Sequence, residues 1–236
     1  MRKLSGIILV VLFALACEEQ GIRSFWKTHS IDYKDINAAR EQFADYAELA
    51  VASPEKDAVA SMDPLFNQLK KDTVAYYIYS DWIDGAFYSI LSPCRSPKLY
   101  SKAVSRIVKD GMLSQDNVDG FIRKREWIQY NKVGDRATLP GVTLNGERTL
   151  VLVLDLGCPS CRRALLNLGW NEEWADLRHV AICCGFGPKP DVPGWEYFYP
   201  DNAAAVFDIH MTPVFFVVAK DGTVQTTYQY AFKQNL

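Results

Sequence analysis

The sequence has little of several features that mark common classes of protein. Its 236 residues carry a formal net charge of -2, so no basic excess points to a nucleic-acid partner. After residue 20 there is no apolar run approaching the roughly 20 residues that cross a bilayer. Histidine occurs only 3 times, and the cysteines offer no second C-x-x-C pair, so no four-ligand zinc site can be assembled. We therefore expect no nucleic acid, no metal and no cofactor.

What the sequence does contain is material for a folded core. Hydrophobic residues make up 49% of the chain and aromatic residues 13%, whereas charged residues make up only 23%. This composition argues against disorder over most of the length. The length allows one or two domains.

The N-terminus has the composition of an export signal. Arg2 and Lys3 precede the apolar run 4–16, which ends in small residues directly before Cys17. A basic segment, a short apolar core and small residues before a cut site predict a signal peptide over residues 1–16. The cysteine after Ala-Leu-Ala resembles the lipobox of bacterial lipoproteins, although that family prefers Leu where Ala14 stands.

That resemblance implies a diacylglycerol on Cys17 and a tether over residues 17–30. We then expect the protein in the cell envelope, lipid-anchored to a membrane, with the outer membrane and its periplasmic or surface face favoured. The alternative is plain secretion, with Cys17 as a free thiol.

The spacing of apolar residues over 31–133 predicts an all-helical domain. One helix carries apolar residues at helical spacing and ends at Pro54, and a second runs from Thr73 to Leu91. A third runs from about Lys98 to Gly111, and Ser114 caps a fourth. The positions expected to face the core in the first, third and fourth helices are Ile36, Phe43, Ala47 and Ala50, then Leu99, Ala103, Ile107 and Val108, then Val118, Phe121, Ile122 and Ile128.

Residues 134–236 predict an α/β domain, with a boundary near residue 133. Leu150 to Leu156 is almost continuously apolar, as expected of a strand buried on both faces. Further strands are predicted at 180–184, 212–219 and 224–230, with helices after Cys158 and from Asn202 to Ile209. Residues 191–195 are expected to form a surface loop.

The residues that carry chemistry are Cys158, Pro159, Ser160 and Cys161, at the exit of the buried strand and the start of a helix. Unpaired N–H groups and the dipole at a helix N-terminus stabilise a thiolate, and the thiolate is the species that attacks disulfides. We expect Cys158 to be the exposed attacking residue and the more buried Cys161 to resolve the mixed disulfide. Arg162 and Arg163 either add positive potential or form a solvated helix face.

This motif, together with Ile209 to Gly222, resembles the thioredoxin superfamily, in particular the membrane-linked periplasmic thioredoxins. The resemblance covers 134–230 and implies a central mixed sheet flanked by helices. It implies a cis peptide bond before Pro213, facing the cysteines, and substrate contacts at Thr212, Pro159 and Ser160. The partners implied are exported thiol or disulfide proteins and a membrane-linked electron donor or acceptor.

A second resemblance concerns the helical half. Residues 65–133, and Tyr88 to Tyr100 in particular, are similar to a helical domain without known activity that precedes thioredoxin-like domains in lipoproteins of some Gram-negative anaerobes.

Two positions depart from the thioredoxin pattern. Gly157 replaces the Trp before the first cysteine, and Leu152 replaces the buried acid six residues before it. Asp155 is either a substitute proton acceptor or a structural residue. It also occupies the place of the Thr that thiol peroxidases use, which disfavours that activity.

The remaining cysteines leave alternatives open. Alternation along a strand puts Cys183 and Cys184 on opposite faces, where they are buried small hydrophobic residues or, less favourably, a strained vicinal disulfide. Cys94 is a free thiol or a transient disulfide partner.

Two functions follow from the sequence. The first is an extracytoplasmic thiol–disulfide oxidoreductase that works through Cys158 and Cys161. The second is a non-catalytic binding or scaffold lipoprotein in which the same pair forms a structural disulfide.

Overall fold

Helices fill the first half of the chain, as the sequence predicts. The structure is a computed structural model that describes residues 21–169 and 171–229, so Cys17 lies outside the described residues. The helices of this half are α1 Phe25–Thr28, α2 Ile36–Ala52, α3 Glu55–Leu69, α4 Thr73–Ile83, α5 Pro97–Asp110 and α6 Gln115–Trp127. One turn of π-helix, Asp84–Tyr88, follows α4 directly.

Short polar side chains fix where these helices begin. The Asp35 carboxylate accepts hydrogen bonds from two backbone N–H groups at the start of α2, and Asp72 does the same for α4. Ser96 caps α5, whose first residue is Pro97. Gly111 ends α5 in the left-handed conformation, at φ 64°. The Asp35, Asp72 and Ser96 side chains satisfy N–H groups that a helix leaves without partners.

The core of the helical half is mainly aromatic. Among its fully buried side chains are Trp26, Tyr46, Phe66, Tyr76, Tyr79, Phe87 and Tyr100. The buried hydroxyl of Tyr46 is hydrogen-bonded to Ser61 Oγ at 2.9 Å. Burial raises the pKa of Tyr46 to about 12, although hydrogen bonds oppose the change.

Several expectations for this half were wrong. The tether cannot extend to residue 30, because Trp26 in α1 is buried in the helical core. Pro54 ends α2 but also begins α3, which the sequence analysis missed. The predicted helix 73–91 ends its α-helical part at Ile83. Ile36 and Val108, expected in the core, are 38% and 46% exposed.

The second half forms a mixed sheet, as predicted, and this sheet has five strands. Its strands are β1 Thr149–Asp155, β2 Arg178–Cys184, β3 Trp195–Phe198, β4 Val214–Val218 and β5 Val224–Gln229, in the order β3-β2-β1-β4-β5. Strand β2 is parallel to β1 and β3, whereas β4 is antiparallel to β1 and β5. The helices are α7 Pro159–Gly169 and α8 Ala203–Val206, and two short 3-10 turns occupy Glu172–Trp174 and Ile209–Met211. Strand β3 begins at Trp195, which the sequence analysis placed in a surface loop.

Alternation along β1 builds a core on each face of the sheet. Leu150, Leu152 and Leu154 pack with α7 in one apolar cluster, and Val151 and Val153 belong to the other. Since both faces are covered, the strand is apolar at every position up to its last residue.

The chain divides into two compact units within α6, between Phe121 and Ile122. The boundary near residue 133 stays a prediction. Within the part of the chain that the structure describes, no helix has the length and apolar character of a membrane span.

Candidate functional site

The two motif cysteines lie where β1 gives way to α7. Cys158 directly precedes the first residue of α7 and donates its backbone N–H to the Asp155 carbonyl at 3.1 Å. The backbone N–H of Cys161 donates to the carbonyl of Cys158 at 3.1 Å and to Cys158 Sγ at 3.3 Å. The sulfur and the carbonyl oxygen of Cys158 therefore share one N–H group in the first turn of the helix.

The two thiols differ in exposure. Cys158 is half-buried, whereas Cys161 is completely buried in the cluster between α7 and the sheet. Burial and, to a lesser degree, the neighbouring Cys158 raise the pKa of Cys161 to about 12. Hydrogen bonding to the Asp155 backbone and the Thr212 side chain opposes this rise. The accessible sulfur is the one at the helix N-terminus, and both cysteines are free thiols.

The segment before β4 comes to the same place. The Thr212–Pro213 peptide bond is cis, as predicted, and Pro213 is buried. Val214, the next residue, pairs with Val153 near the end of β1. The Thr212 side chain interacts with the Cys161 thiol and donates a hydrogen bond to the Ile209 carbonyl at 2.8 Å. Thr212 is thus brought to the cysteine pair, and its backbone contact with substrate stays a prediction.

Pro159 and Ser160 occupy the first turn of α7. Pro159 is the first helical residue, where its missing N–H costs nothing, and it is exposed. Ser160 is half-buried, and Arg162 and Arg163 are exposed on the same helix. The contact of Pro159 and Ser160 with substrate stays a prediction.

Asp155 was expected to be either a substitute proton acceptor or a structural residue, and it has a structural role. Its carboxylate accepts a hydrogen bond from the Gly157 backbone N–H at 2.7 Å, which fixes the turn before Cys158. Leu152, at the position of the thioredoxin acid, is fully buried in the same apolar cluster as Cys161. No carboxylate therefore replaces the missing acid on that face of β1.

Cys183 and Cys184 are buried on opposite faces of the sheet, as alternation predicts. Burial raises the pKa of Cys183 to about 12. Burial and the Asp155 carboxylate raise the pKa of Cys184 to about 11. Both are free thiols that behave as small core residues.

Cys94 lies in the helical unit at an open cleft of about 460 Å³. Trp82, Phe43 and Arg40 also line the cleft, with the Arg40 guanidinium 5.8 Å from the centre of the Trp82 ring. Burial, and to a lesser degree the Glu48 charge, raises the pKa of the Cys94 thiol. Cys94 is therefore a poorly ionised thiol.

One residue beside the motif was not predicted from the sequence. Phe186, in the loop after β2, is 98% exposed, and its carbonyl oxygen lies 3.2 Å from where a Cβ on Gly157 would be. The available signal was a lone aromatic residue between two glycines, Gly185 and Gly187, directly after an apolar strand.

Comparison with known proteins bears on the fold. No family model matches the chain, and no curated protein matches its sequence. A solved structure described as a thioredoxin-like protein from Bacteroides caccae ATCC 43185 is similar to it, with a TM-score of 0.63 and 17% sequence identity. The match covers 87% of this chain and 86% of that one, which is more than the α/β unit alone spans. The second half of this protein therefore has a thioredoxin-like fold, preceded by a helical region.

Proposed function

We propose that this protein is an extracytoplasmic thiol–disulfide oxidoreductase that exchanges disulfides through Cys158 and Cys161. One observation carries the proposal. The accessible sulfur of Cys158 accepts the Cys161 backbone N–H at 3.3 Å at the start of a helix, and the second thiol is buried directly behind it. An accessible nucleophilic thiol and a protected resolving thiol are the two components that exchange requires.

The reaction has two steps. The Cys158 thiolate attacks one sulfur of a partner disulfide, and the other partner sulfur leaves as a thiolate and takes up a proton. Cys161 then loses its proton and attacks the Cys158 sulfur, which releases the second partner thiol. Two electrons pass from the pair to the partner, and the reverse sequence oxidises a dithiol.

The test is to trap the mixed disulfide. With Cys161→Ser, Cys158 can attack but the intermediate cannot be resolved, so disulfide-linked complexes with exported proteins should accumulate. With Cys158→Ser they should not, because Cys161 is completely buried. Complexes that form through Cys161 alone would contradict the assignment of roles.

We also propose that the mature protein begins at Cys17 and is held on a membrane of the cell envelope by lipid. The support is the sequence: a basic start, a short apolar run and small residues that end on this cysteine. Two or three acyl chains bind a membrane firmly, whereas one binds only marginally. The partners would be exported thiol or disulfide proteins and a membrane-linked electron donor or acceptor.

Fractionation of wild type against Cys17→Ala, with the mass of the mature N-terminus, tests this location. Wild type should stay with membranes and carry the added mass of the lipid. An unmodified Cys17 on a protein released from membranes would instead show ordinary secretion.

The alternative is a scaffold protein in which the cysteines form a structural disulfide. The apolar surroundings of Cys161, with Leu152 in place of an acid, favour it, because they slow proton transfer. A redox titration separates the two functions. A structural disulfide resists reduction at glutathione potentials, and a catalytic one does not.

A further inference from the structure

Among the described residues, Phe186 is the most exposed large apolar side chain, and it lies beside the proposed nucleophile. Its exposure is 98%, and the next value for such a side chain is 65%, at Val133. We infer that Phe186 is a substrate-binding residue that selects disulfides flanked by apolar side chains. This inference rests on the proposed exchange function and names its substrate class.

The loop that carries Phe186 is fixed against the turn before Cys158. Gly185 has φ +71°, and a Cβ there would lie 2.7 Å from the Asp155 carboxylate. A Cβ on Gly187 would lie 2.5 Å from the Leu156 carbonyl oxygen. Both distances are too short for any side chain, so the two glycines allow close backbone contact. With its neighbours pressed inward, Phe186 projects into solvent.

This contact brings the Phe186 backbone close to Gly157, the residue before the attacking Cys158. The Phe186 carbonyl oxygen is 3.2 Å from the Cβ position of Gly157, and Gly157 directly precedes Cys158. Consecutive Cα atoms are about 3.8 Å apart. The residues that flank a disulfide at Cys158 are therefore within reach of Phe186.

The chemistry around the ring favours an apolar partner. The exposed residues on both sides of the contact, Gly157, Pro159, Gly187 and Pro188, are uncharged. Single exposed apolar residues are common on proteins, but this one is held on a backbone already fixed in place. A partner that covers the ring therefore loses little binding free energy to ordering of this loop. Burial of most of a phenyl ring raises the affinity about tenfold or more. The occupant we assign is an extended apolar segment on either side of a substrate disulfide.

The test compares Phe186→Ser with Val133→Ser as the matched control. The residue after Val133, Gly134, donates a backbone hydrogen bond to the Val224 carbonyl. Val224 pairs with Val218 across the sheet, and Val218 in turn pairs with Thr149, the first residue of β1. Val133 is thus an exposed apolar residue of the same unit at the opposite end of β1 from Cys158. Phe186→Trp keeps an aromatic ring at the position.

The substrates are two peptides with one disulfide each, identical except that Leu or Ser flanks the cysteines, and the small hydroxyethyl disulfide. We expect Phe186→Ser to raise KM for the Leu peptide about tenfold, with kcat and the rate on hydroxyethyl disulfide nearly unchanged. Val133→Ser and Phe186→Trp should behave like wild type on all three substrates.

The outcomes separate this inference from the function beneath it. A wild-type protein that is inert to hydroxyethyl disulfide overturns the proposed exchange function. A wild type that is active but does not prefer the Leu peptide, or a Phe186→Ser variant that retains the preference, overturns only the role of Phe186. A variant that loses a dimer seen for wild type by sedimentation, with its peptide preference intact, assigns Phe186 to self-association and also overturns the inference.

Discussion

The difference in reactivity between the two motif thiols gives the most quantitative prediction. The perturbation is alkylation of the reduced protein with iodoacetamide, which reacts with thiolates. Burial and the neighbouring Cys158 raise the pKa of Cys161 from 9.0 to about 12. At pH 8 its thiolate fraction is therefore about a thousandfold smaller than that of an ordinary cysteine, before its complete burial is considered.

The assay is a labelling time course read by peptide mass spectrometry, which reports Cys158 and Cys161 separately. We expect Cys158 to be labelled first, because its sulfur is accessible and accepts a backbone N–H. Cys161 should be labelled at least about a thousandfold more slowly than in urea-unfolded protein, where burial is absent. Its rate should rise about tenfold for each pH unit while the fold persists.

Equal labelling rates for the two cysteines in the folded protein would refute this reasoning. Faster labelling of Cys161 would also reverse their proposed roles. The urea-unfolded sample is the internal control, since both thiols then meet the same solvent and should react alike.

Three further outcomes test the fold around the site and in the helical unit. Arg106→Met, which removes an 11% exposed side chain from its ion pairs, should lower the free energy of unfolding in urea by about 3 kcal/mol. Lys98→Met at an exposed pair should cost less than about 1 kcal/mol. Burial raises the pKa of the Cys183 thiol to about 12. Above about pH 9 the folded protein therefore keeps a proton that the unfolded chain releases, so the free energy of unfolding should fall as pH rises. Under reducing conditions Cys183→Ala should reduce that slope by up to about 1.4 kcal/mol per pH unit; an unchanged slope would contradict the assignment. Gly187→Ala should destabilise the protein by about 1–3 kcal/mol in urea, because its Cβ meets a backbone carbonyl. The Cβ of Gly120→Ala meets nothing within 4 Å, so this control variant should not be destabilised.

The spacing of apolar residues predicted those helices and strands whose apolar positions all face a buried environment. Strand β1 is apolar at successive positions because both of its faces are covered, and this pattern is readable without a structure. The same reasoning failed at Ile36 and Val108, which are exposed although their spacing matches a buried helix face. Helical spacing gives the direction of a side chain, but it does not show whether another element covers that direction.

Proline and glycine explain the missed elements. Pro54 was interpreted only as the end of α2, but the same residue caps the start of α3. The proline-rich stretch before Trp195 concealed β3, whose pairing with β2 depends on residues distant in sequence. Phe186 was missed for a related reason, because its exposure follows from close backbone contacts at the glycines beside it. Long-range contacts of this kind leave no periodic pattern.

The surroundings of Cys161 decide how the proposed exchange divides between its two steps. The first step uses a sulfur that is accessible and accepts a helix N–H. The second step needs Cys161 to lose a proton, yet this thiol has a pKa of about 12 and shares its cluster with Leu152, which cannot accept that proton. Resolution is then the slower step, and the mixed disulfide at Cys158 is the species that persists. Contacts that hold a bound partner matter most during the lifetime of this mixed disulfide. At that stage the exposed ring of Phe186 would lie against the partner segment that flanks the shared disulfide.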